Sequence, residues 1–91
     1  MSTGWRISDD VVATDFDSGE AVLVDLKRKS YYVLNETAAA VWRGLMEERS
    51  VDEIALELTR AYDVTGEQAR ASVARVIGDF ERAELLAGAG A

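Results

Sequence analysis

The spacing of apolar residues changes near Asn35, and this change constrains the fold more than any other feature of the sequence. Before Asn35, short runs of β-branched and aromatic residues alternate with turn-forming or charged residues, which is typical of β-strands. After Asn35, apolar residues recur every three or four positions, which is typical of amphipathic helices. A length of 91 residues leaves room for one domain. The sequence therefore predicts a single α+β domain, with a small sheet followed by helices.

Three runs of residues predict the strands of the sheet, at 11–14, 21–26 and 30–34. The connections between them are short, and short connections join neighbouring antiparallel strands. We therefore expect a three-stranded antiparallel sheet with the first and third strands at its edges. Trp5 and Ile7 are expected either to extend the first strand or to pack beneath the sheet.

Three helices are predicted after the strands, each from an N-terminal cap followed by an apolar stripe. Asn35 is the expected N-cap of the first helix, and Ser50 and Thr65 begin capping boxes for the second and third. The third helix is expected to end near Glu84. A small sheet beside three helices has the outline of a winged helix-turn-helix, which describes a fold and not a function. We expect residues 1–86 to form the domain and residues 87–91 a flexible tail.

The composition argues against catalysis. The chain has neither cysteine nor histidine, so it lacks a catalytic thiol, a thiolate zinc site and the usual general base. The paired carboxylates fall mostly at predicted turns and helix starts, where they act as caps. Residues 15–20 lack the glycine and glutamate spacing of an EF-hand calcium loop. We therefore predict a binding module with no catalytic residue, metal or cofactor.

The net charge of −7 limits the partners of this module. Nucleic-acid affinity comes largely from lysine and arginine neutralising phosphates, and the arginines of the third predicted helix are interleaved with acidic residues. No apolar stretch approaches the roughly 20 residues of a membrane span. We expect a cytoplasmic protein that binds neither nucleic acid nor membrane, and keep a winged-helix DNA-binding regulator as the alternative.

The third predicted strand, residues 30–34, is an edge with no charge and no proline before Asn35, although edge strands usually carry such protection. Alternation places Tyr32 and Leu34 on one face and Tyr31 and Val33 on the other. Two interpretations remain open. Either a loop, the N-terminal segment or a second chain covers this edge, or an extended peptide adds to it as a further strand.

Strand addition alone would bind a peptide weakly. Three or four ladder hydrogen bonds contribute about 0.5–1.5 kcal/mol each, whereas sub-micromolar binding needs about 8 kcal/mol. Apolar side chains of the peptide must therefore enter a groove, and we expect the third helix to form its second wall. In this interpretation Val73, Val76 and Phe80 fill the core, while Arg70, Ala74 and Ile77 face the groove.

The segment Leu34-Asn35-Glu36-Thr37, with Tyr31 and Tyr32 before it and Trp42 after it, resembles the PqqD-like family. Members of this family are also called RiPP recognition elements, after ribosomally synthesised, post-translationally modified peptides. The resemblance covers about residues 10–86, and the segment Leu34-Asn35-Glu36-Thr37 is fairly specific to the family. The other segments that carry it are the apolar run at 22–26, the aromatic residues Tyr31 and Tyr32, Trp42, residues 51–54 and the closing Glu84-Leu85-Leu86. The sequence departs from the family in its charged turn at 27–29, where many members have a glycine, and in having no proline in its N-terminal segment.

The resemblance implies that the protein binds the leader segment of a precursor peptide as an added antiparallel strand, in the cleft between the third strand and the third helix. The resemblance also implies that the protein has no catalytic activity of its own. It implies that the protein delivers the precursor to a separate processing enzyme. A lasso-peptide leader peptidase is the first expected partner, and the peptide carrier of pyrroloquinoline quinone biosynthesis is the alternative role. The residues that the resemblance assigns to peptide binding are Lys29, Ser30, Tyr31, Tyr32 and Val33 on the strand, and Arg70, Val73, Ala74 and Ile77 on the helix.

Overall fold

The computed structural model describes residues 6–7 and 10–87. Two small sheets and three helices make up these residues. The elements in chain order are β1 (Arg6–Ile7), β2 (Val11–Asp15), β3 (Ala21–Asp25), β4 (Ser30–Leu34), α1 (Glu36–Met46), α2 (Val51–Ala61), α3 (Gly66–Arg82) and β5 (Leu86–Ala87). β2, β3 and β4 form an antiparallel sheet with β3 in the middle. The predicted α+β class, with three antiparallel strands followed by three helices, is confirmed.

A second sheet, in which β1 pairs antiparallel with β5, was not predicted from the sequence. Ile7 lies opposite Leu86 in this pair and packs against the core, so it does not extend β2. Ala87, placed in the tail by the sequence analysis, is the last residue of β5. Trp5 and residues 88–91 lie outside the described part of the chain.

The helices begin at the predicted caps. The Asn35 side chain accepts a hydrogen bond from the Ala38 N–H at 2.9 Å, and Ser50 and Thr65 each form a complete capping box. In the first box the Ser50 N–H donates to the Glu53 carboxylate, which lowers the pKa of Glu53. α3 ends at Arg82, two residues before the predicted end, because the chain turns through the left-handed conformation at Glu84 (φ 60°).

One core lies between the inner face of the larger sheet and the helices. Trp42 of α1 meets Phe80 of α3 edge to face, with ring centroids 5.3 Å apart, a favourable arrangement for aromatic pairs. α1 approaches α2 closely at Gly44, where a Cβ atom would lie 2.5 Å from Cγ1 of Ile54. The described members of the core come from β3, β4, all three helices and the C-terminal segment around Leu85.

The turn between β3 and β4 is organised by Asp25, a carboxylate that is only 3% exposed. Its Oδ1 accepts hydrogen bonds from the N–H groups of Lys27 and Arg28, at 3.1 and 3.2 Å. Leu26, predicted as the last residue of the strand, instead begins this turn and is 60% exposed. The local hydrogen bonds of Asp25 end the strand one residue early, because they satisfy the backbone within the turn.

Candidate functional site

Two hydrogen bonds at the ends of the β2–β3 ladder show the hydrogen-bonding phase of the larger sheet, that is, which residue pairs are hydrogen-bonded and which are not. The Phe16 N–H donates to the Glu20 carbonyl, and the Leu26 N–H donates to the Asp10 carbonyl, both at 2.9 Å. Hydrogen-bonded pairs alternate with non-bonded pairs along an antiparallel ladder. The even-numbered residues of β3 therefore direct their backbone groups toward β2, and the odd-numbered residues direct theirs toward β4.

The same phase determines which backbone groups of β4 point outward. The odd-numbered residues of β3 lie opposite Ser30, Tyr32 and Leu34, so these three residues bond inward to β3. The N–H and C=O groups of Tyr31 and Val33 therefore point away from the sheet. Within the described ranges no backbone group bonds to them, so β4 presents two donors and two acceptors along a free edge.

A groove of about 550 Å³ lies between β4 and α3. Val76, Phe80 and Leu85 provide an apolar floor, and all three are buried. A volume of this size is within the range of ordinary ligand sites, which are lined largely by apolar residues with a few polar groups. The remaining lining residues come from β4, the start of α1 and one flank of α3: Tyr32, Val33, Leu34, Asn35, Thr37, Ala38, Ser72, Arg75, Asp79 and Ala83.

The rim of the groove on α3 carries two opposite charges, Arg75 and Asp79. Asp79 forms an ion pair with Arg82, one turn further along the helix surface. Arg75 is exposed and forms no ion pair with any residue that the structure describes. Among the described residues, the groove therefore places the Arg75 guanidinium, without an ion-pair partner, beside an apolar floor.

The predicted strand residues lie at or beside the groove. Tyr32 and Val33 line it, and Ser30 is half-buried at the start of β4. Tyr31 is 72% exposed on the opposite face of the sheet, so it contributes outward-pointing backbone groups and not its ring. Lys29 lies in the preceding turn with a left-handed backbone (φ 57°). The predicted alternation of β4 side chains is confirmed.

The four α3 residues predicted for peptide binding are not among the residues that line this groove. Val73 and Ile77 belong to the core, with exposures of 0% and 4%. Ala74 is exposed on α3, and Arg70 lines a separate depression between α2 and α3. The groove instead uses the other flank of the helix.

The difference between the predicted wall and the lining of this groove has a geometric cause. A helix turns about 100° per residue, so a core stripe has two flanks, and both are compatible with the same apolar period. One flank runs through Arg70 and Ala74, and the other through Ser72, Arg75 and Asp79. Small residues occur on both flanks, so the sequence held no signal for choosing between them. A contact between one α3 residue and β4 would have been needed to make that choice.

Two other predictions can be compared with the described residues. No cluster of three or more acidic side chains in the described ranges is arranged to hold a metal ion. Among the same residues, no helix has both the length and the apolar character needed to cross a membrane.

Comparison with known structures gives two similar folds at full length. One is TbiB1 in complex with the TbiA(beta) leader peptide, with 27% identity, a TM-score of 0.84, and coverage of 94% of this chain and 99% of that chain. The other is lasso peptide synthetase B1 complexed with the leader peptide, with 25% identity, a TM-score of 0.83, and coverage of 92% and 98%.

No curated protein sequence matches significantly. Residues 20–86 match the family model of coenzyme PQQ synthesis protein D. The chain therefore belongs to the PqqD family.

Proposed function

We propose that this protein binds the leader segment of a ribosomally made precursor peptide as an additional strand beside β4, with leader side chains entering the groove against α3. The observation that carries the proposal is the coincidence of two features along β4. The outward backbone groups of Tyr31 and Val33 form an open edge, and a groove with an apolar floor runs beside that edge. The two similar structures, each complexed with a leader peptide, support the same function.

The two features supply different parts of the binding free energy. Backbone pairing contributes about 0.5–1.5 kcal/mol for each hydrogen bond and fixes the register without reading the sequence of the leader. Burial of each large apolar side chain in the groove contributes about 1.5–3 kcal/mol. We therefore expect the groove to determine most of the affinity and the selectivity, since Val76 and Phe80 give it an apolar floor.

The groove offers binding chemistry, and we propose that a separate enzyme carries out the reaction. By holding the leader, the protein raises the effective concentration of the attached core peptide at that enzyme. A lasso-peptide leader peptidase is the proposed enzyme, because one of the two similar structures is lasso peptide synthetase B1 complexed with the leader peptide.

The family model favours a second role, that of the peptide carrier in coenzyme PQQ synthesis. The same edge and groove would serve in that role, with a different precursor and a different enzyme. The two roles are distinguished by the neighbouring open reading frames, which should include a short precursor of one kind or the other.

A winged-helix DNA regulator is the remaining alternative, and the charge of α3 disfavours it. Arg70, Arg75 and Arg82 are matched on this helix by three acidic residues, and Arg82 is paired with Asp79. A duplex-binding surface needs a net excess of cations.

The proposal is tested by titrating the protein into a fluorescently labelled leader peptide, whose sequence is taken from the short precursor reading frame that we expect beside its own gene. We expect saturable binding to the leader and none to a scrambled peptide of the same composition. A low-salt gel shift with duplex DNA is the parallel experiment. Duplex binding without leader binding would replace the proposed function by the regulator alternative.

A further inference from the structure

The outer face of the larger sheet, on the side away from the helices, is apolar across all three strands. In the registered rows, Val12 lies beside Val24, which lies beside Tyr31. The next row contains Thr14, Val22 and Val33. Val12, Tyr31 and Val33 are 50–72% exposed. No described element covers this face, and monomers rarely expose a contiguous apolar patch beyond a few hundred square ångströms.

The two ends of this outer face carry opposite charges. The turn between β2 and β3 contains Asp17 and Glu20, whereas the turn between β3 and β4 contains Lys27 and Lys29. None of these four side chains forms an ion pair with another described residue. Because β2, β3 and β4 form an antiparallel meander, the acidic turn and the basic turn lie at opposite ends of the sheet.

Each of the two turns also carries an exposed apolar side chain. Phe16 in the acidic turn is 50% exposed, and Leu26 in the basic turn is 60% exposed. The apolar surface therefore extends to both ends of the face, and each of the two turns combines one large apolar residue with charged residues of one sign.

A face with an apolar centre, one acidic turn and one basic turn is complementary in charge to a second copy of itself. A two-fold axis in the plane of the interface and perpendicular to the strands places each strand over its own copy running the opposite way. The acidic turn of one copy then meets the basic turn of the other, and the contact occurs twice. The alternative two-fold axis, parallel to the strands, would place like charges together at both ends.

We propose that two copies of this chain associate through their outer sheet faces, with the strands antiparallel across the interface. Val22 of each copy lies over Val24 of the other, and Lys27 of each copy lies near Glu20 of the other. Face-to-face sheet packing of this kind is the arrangement of β-sandwiches. The local match at the ends is needed, since two chains with a net charge of −7 repel each other overall.

This dimer leaves both leader grooves open. Tyr32 and Leu34 point to the helix side of β4, opposite to the residues of the proposed interface. The chosen axis also places the two β4 strands on the same side of the dimer. Where the proposed function holds, the dimer would therefore present two leaders side by side to the processing enzyme.

Sedimentation velocity of the full chain over a range of concentrations tests the dimer directly. We expect a species of twice the 9.9 kDa chain mass at submillimolar concentration. Val24→Lys places a charge at the centre of the interface and should give a monomer. Leu56→Lys, which changes a comparably exposed apolar residue on α2, should leave the dimer intact.

A charge exchange tests the orientation without touching the core. Lys27→Glu alone and Glu20→Lys alone should each raise the dimer dissociation constant by about tenfold, because each change removes two cross-interface contacts. The double variant should restore the dissociation constant of the unmodified protein. Circular dichroism verifies that all variants fold, and leader titration of Val24→Lys reports on the groove independently of the dimer.

A monomer at every concentration would overturn the proposal, even if the leader binds normally. Failure of the charge exchange to restore the dimer would overturn the antiparallel arrangement. A monomer whose outer face binds the processing enzyme would also overturn it, and would assign this face to that enzyme.

Discussion

The two edge strands of the larger sheet, β2 and β4, have the same length and the same neighbour but different surroundings. β2 is tied to α1 by an ion pair between Asp15 and Arg43, with Nη1 and Oδ1 3.2 Å apart. β4 is separated from α3 by a groove with an apolar floor. By the phase of the ladder, Ala13 on β2 and Tyr31 on β4 both direct their backbone groups outward.

From this difference we expect that an open edge alone is not sufficient for a peptide site. On both edge strands, every second residue directs its backbone N–H and C=O groups outward. The two edges therefore offer the same types of hydrogen-bonding group to an added strand. Among the described residues, a volume that can bury side chains of a bound peptide lies between the edge of β4 and α3. The helix beside the strand therefore distinguishes a binding edge from a structural one.

The largest expected effect comes from filling the groove. Ser72→Trp places a bulky ring between α3 and β4, where the leader side chains would lie, and should weaken leader binding by about a hundredfold, the loss of roughly one or two buried apolar side chains. Fluorescence anisotropy with the labelled leader measures the change.

Ala74→Trp is the matched control, since it adds the same ring on the opposite flank of α3. It should leave leader affinity unchanged. If Ala74→Trp weakens binding and Ser72→Trp does not, the leader uses the flank that runs through Arg70 and Ala74, as the sequence analysis first predicted.

A smaller effect is expected from removing a single outward donor. Tyr31→Pro deletes an N–H that points away from β3, so it leaves the ladder with β3 intact and should reduce leader affinity by about tenfold. Ala13→Pro makes the same change on the other edge and should not alter the affinity. Equal losses from the two variants would mean that proline acts by distorting the sheet.

The smallest effect is expected at the ion pair that ties β2 to α1. Asp15→Asn removes the partner of Arg43, and both side chains are about half exposed. Exposed pairs contribute about 0.2–1 kcal/mol, so the free energy of unfolding should fall by no more than that. Chemical denaturation measures the change, and leader affinity should be unaffected. A marked loss of affinity would show that the two edges are coupled.

The sequence was sufficient to predict the structural features that depend on interactions between neighbouring residues. The caps at Asn35, Ser50 and Thr65 lie where predicted, because a side-chain acceptor and the helix N–H groups that it satisfies are neighbours in the chain. The alternation of β4 side chains between the two faces of the sheet was also predictable, because the period of two is a local property of any strand.

The remaining features depend on contacts between distant residues. β1 and β5 have two residues each, too few to show any period, and they exist because they pair with each other. The burial of Asp25 arises from the path of the turn that follows it. The flank of α3 that faces β4 depends on how the helix is rotated over the sheet, which the apolar stripe leaves open.

Amide hydrogen exchange, measured residue by residue with and without the leader peptide, tests strand addition at β4 most directly. The outward amides of Tyr31 and Val33 should exchange more slowly when the leader is bound, because each then donates to the added strand. The outward amides of Val11, Ala13 and Asp15 on β2 should exchange at the same rate in both states. Protection of the β2 amides, or unchanged exchange at Tyr31 and Val33 under saturating leader, would contradict strand addition at β4.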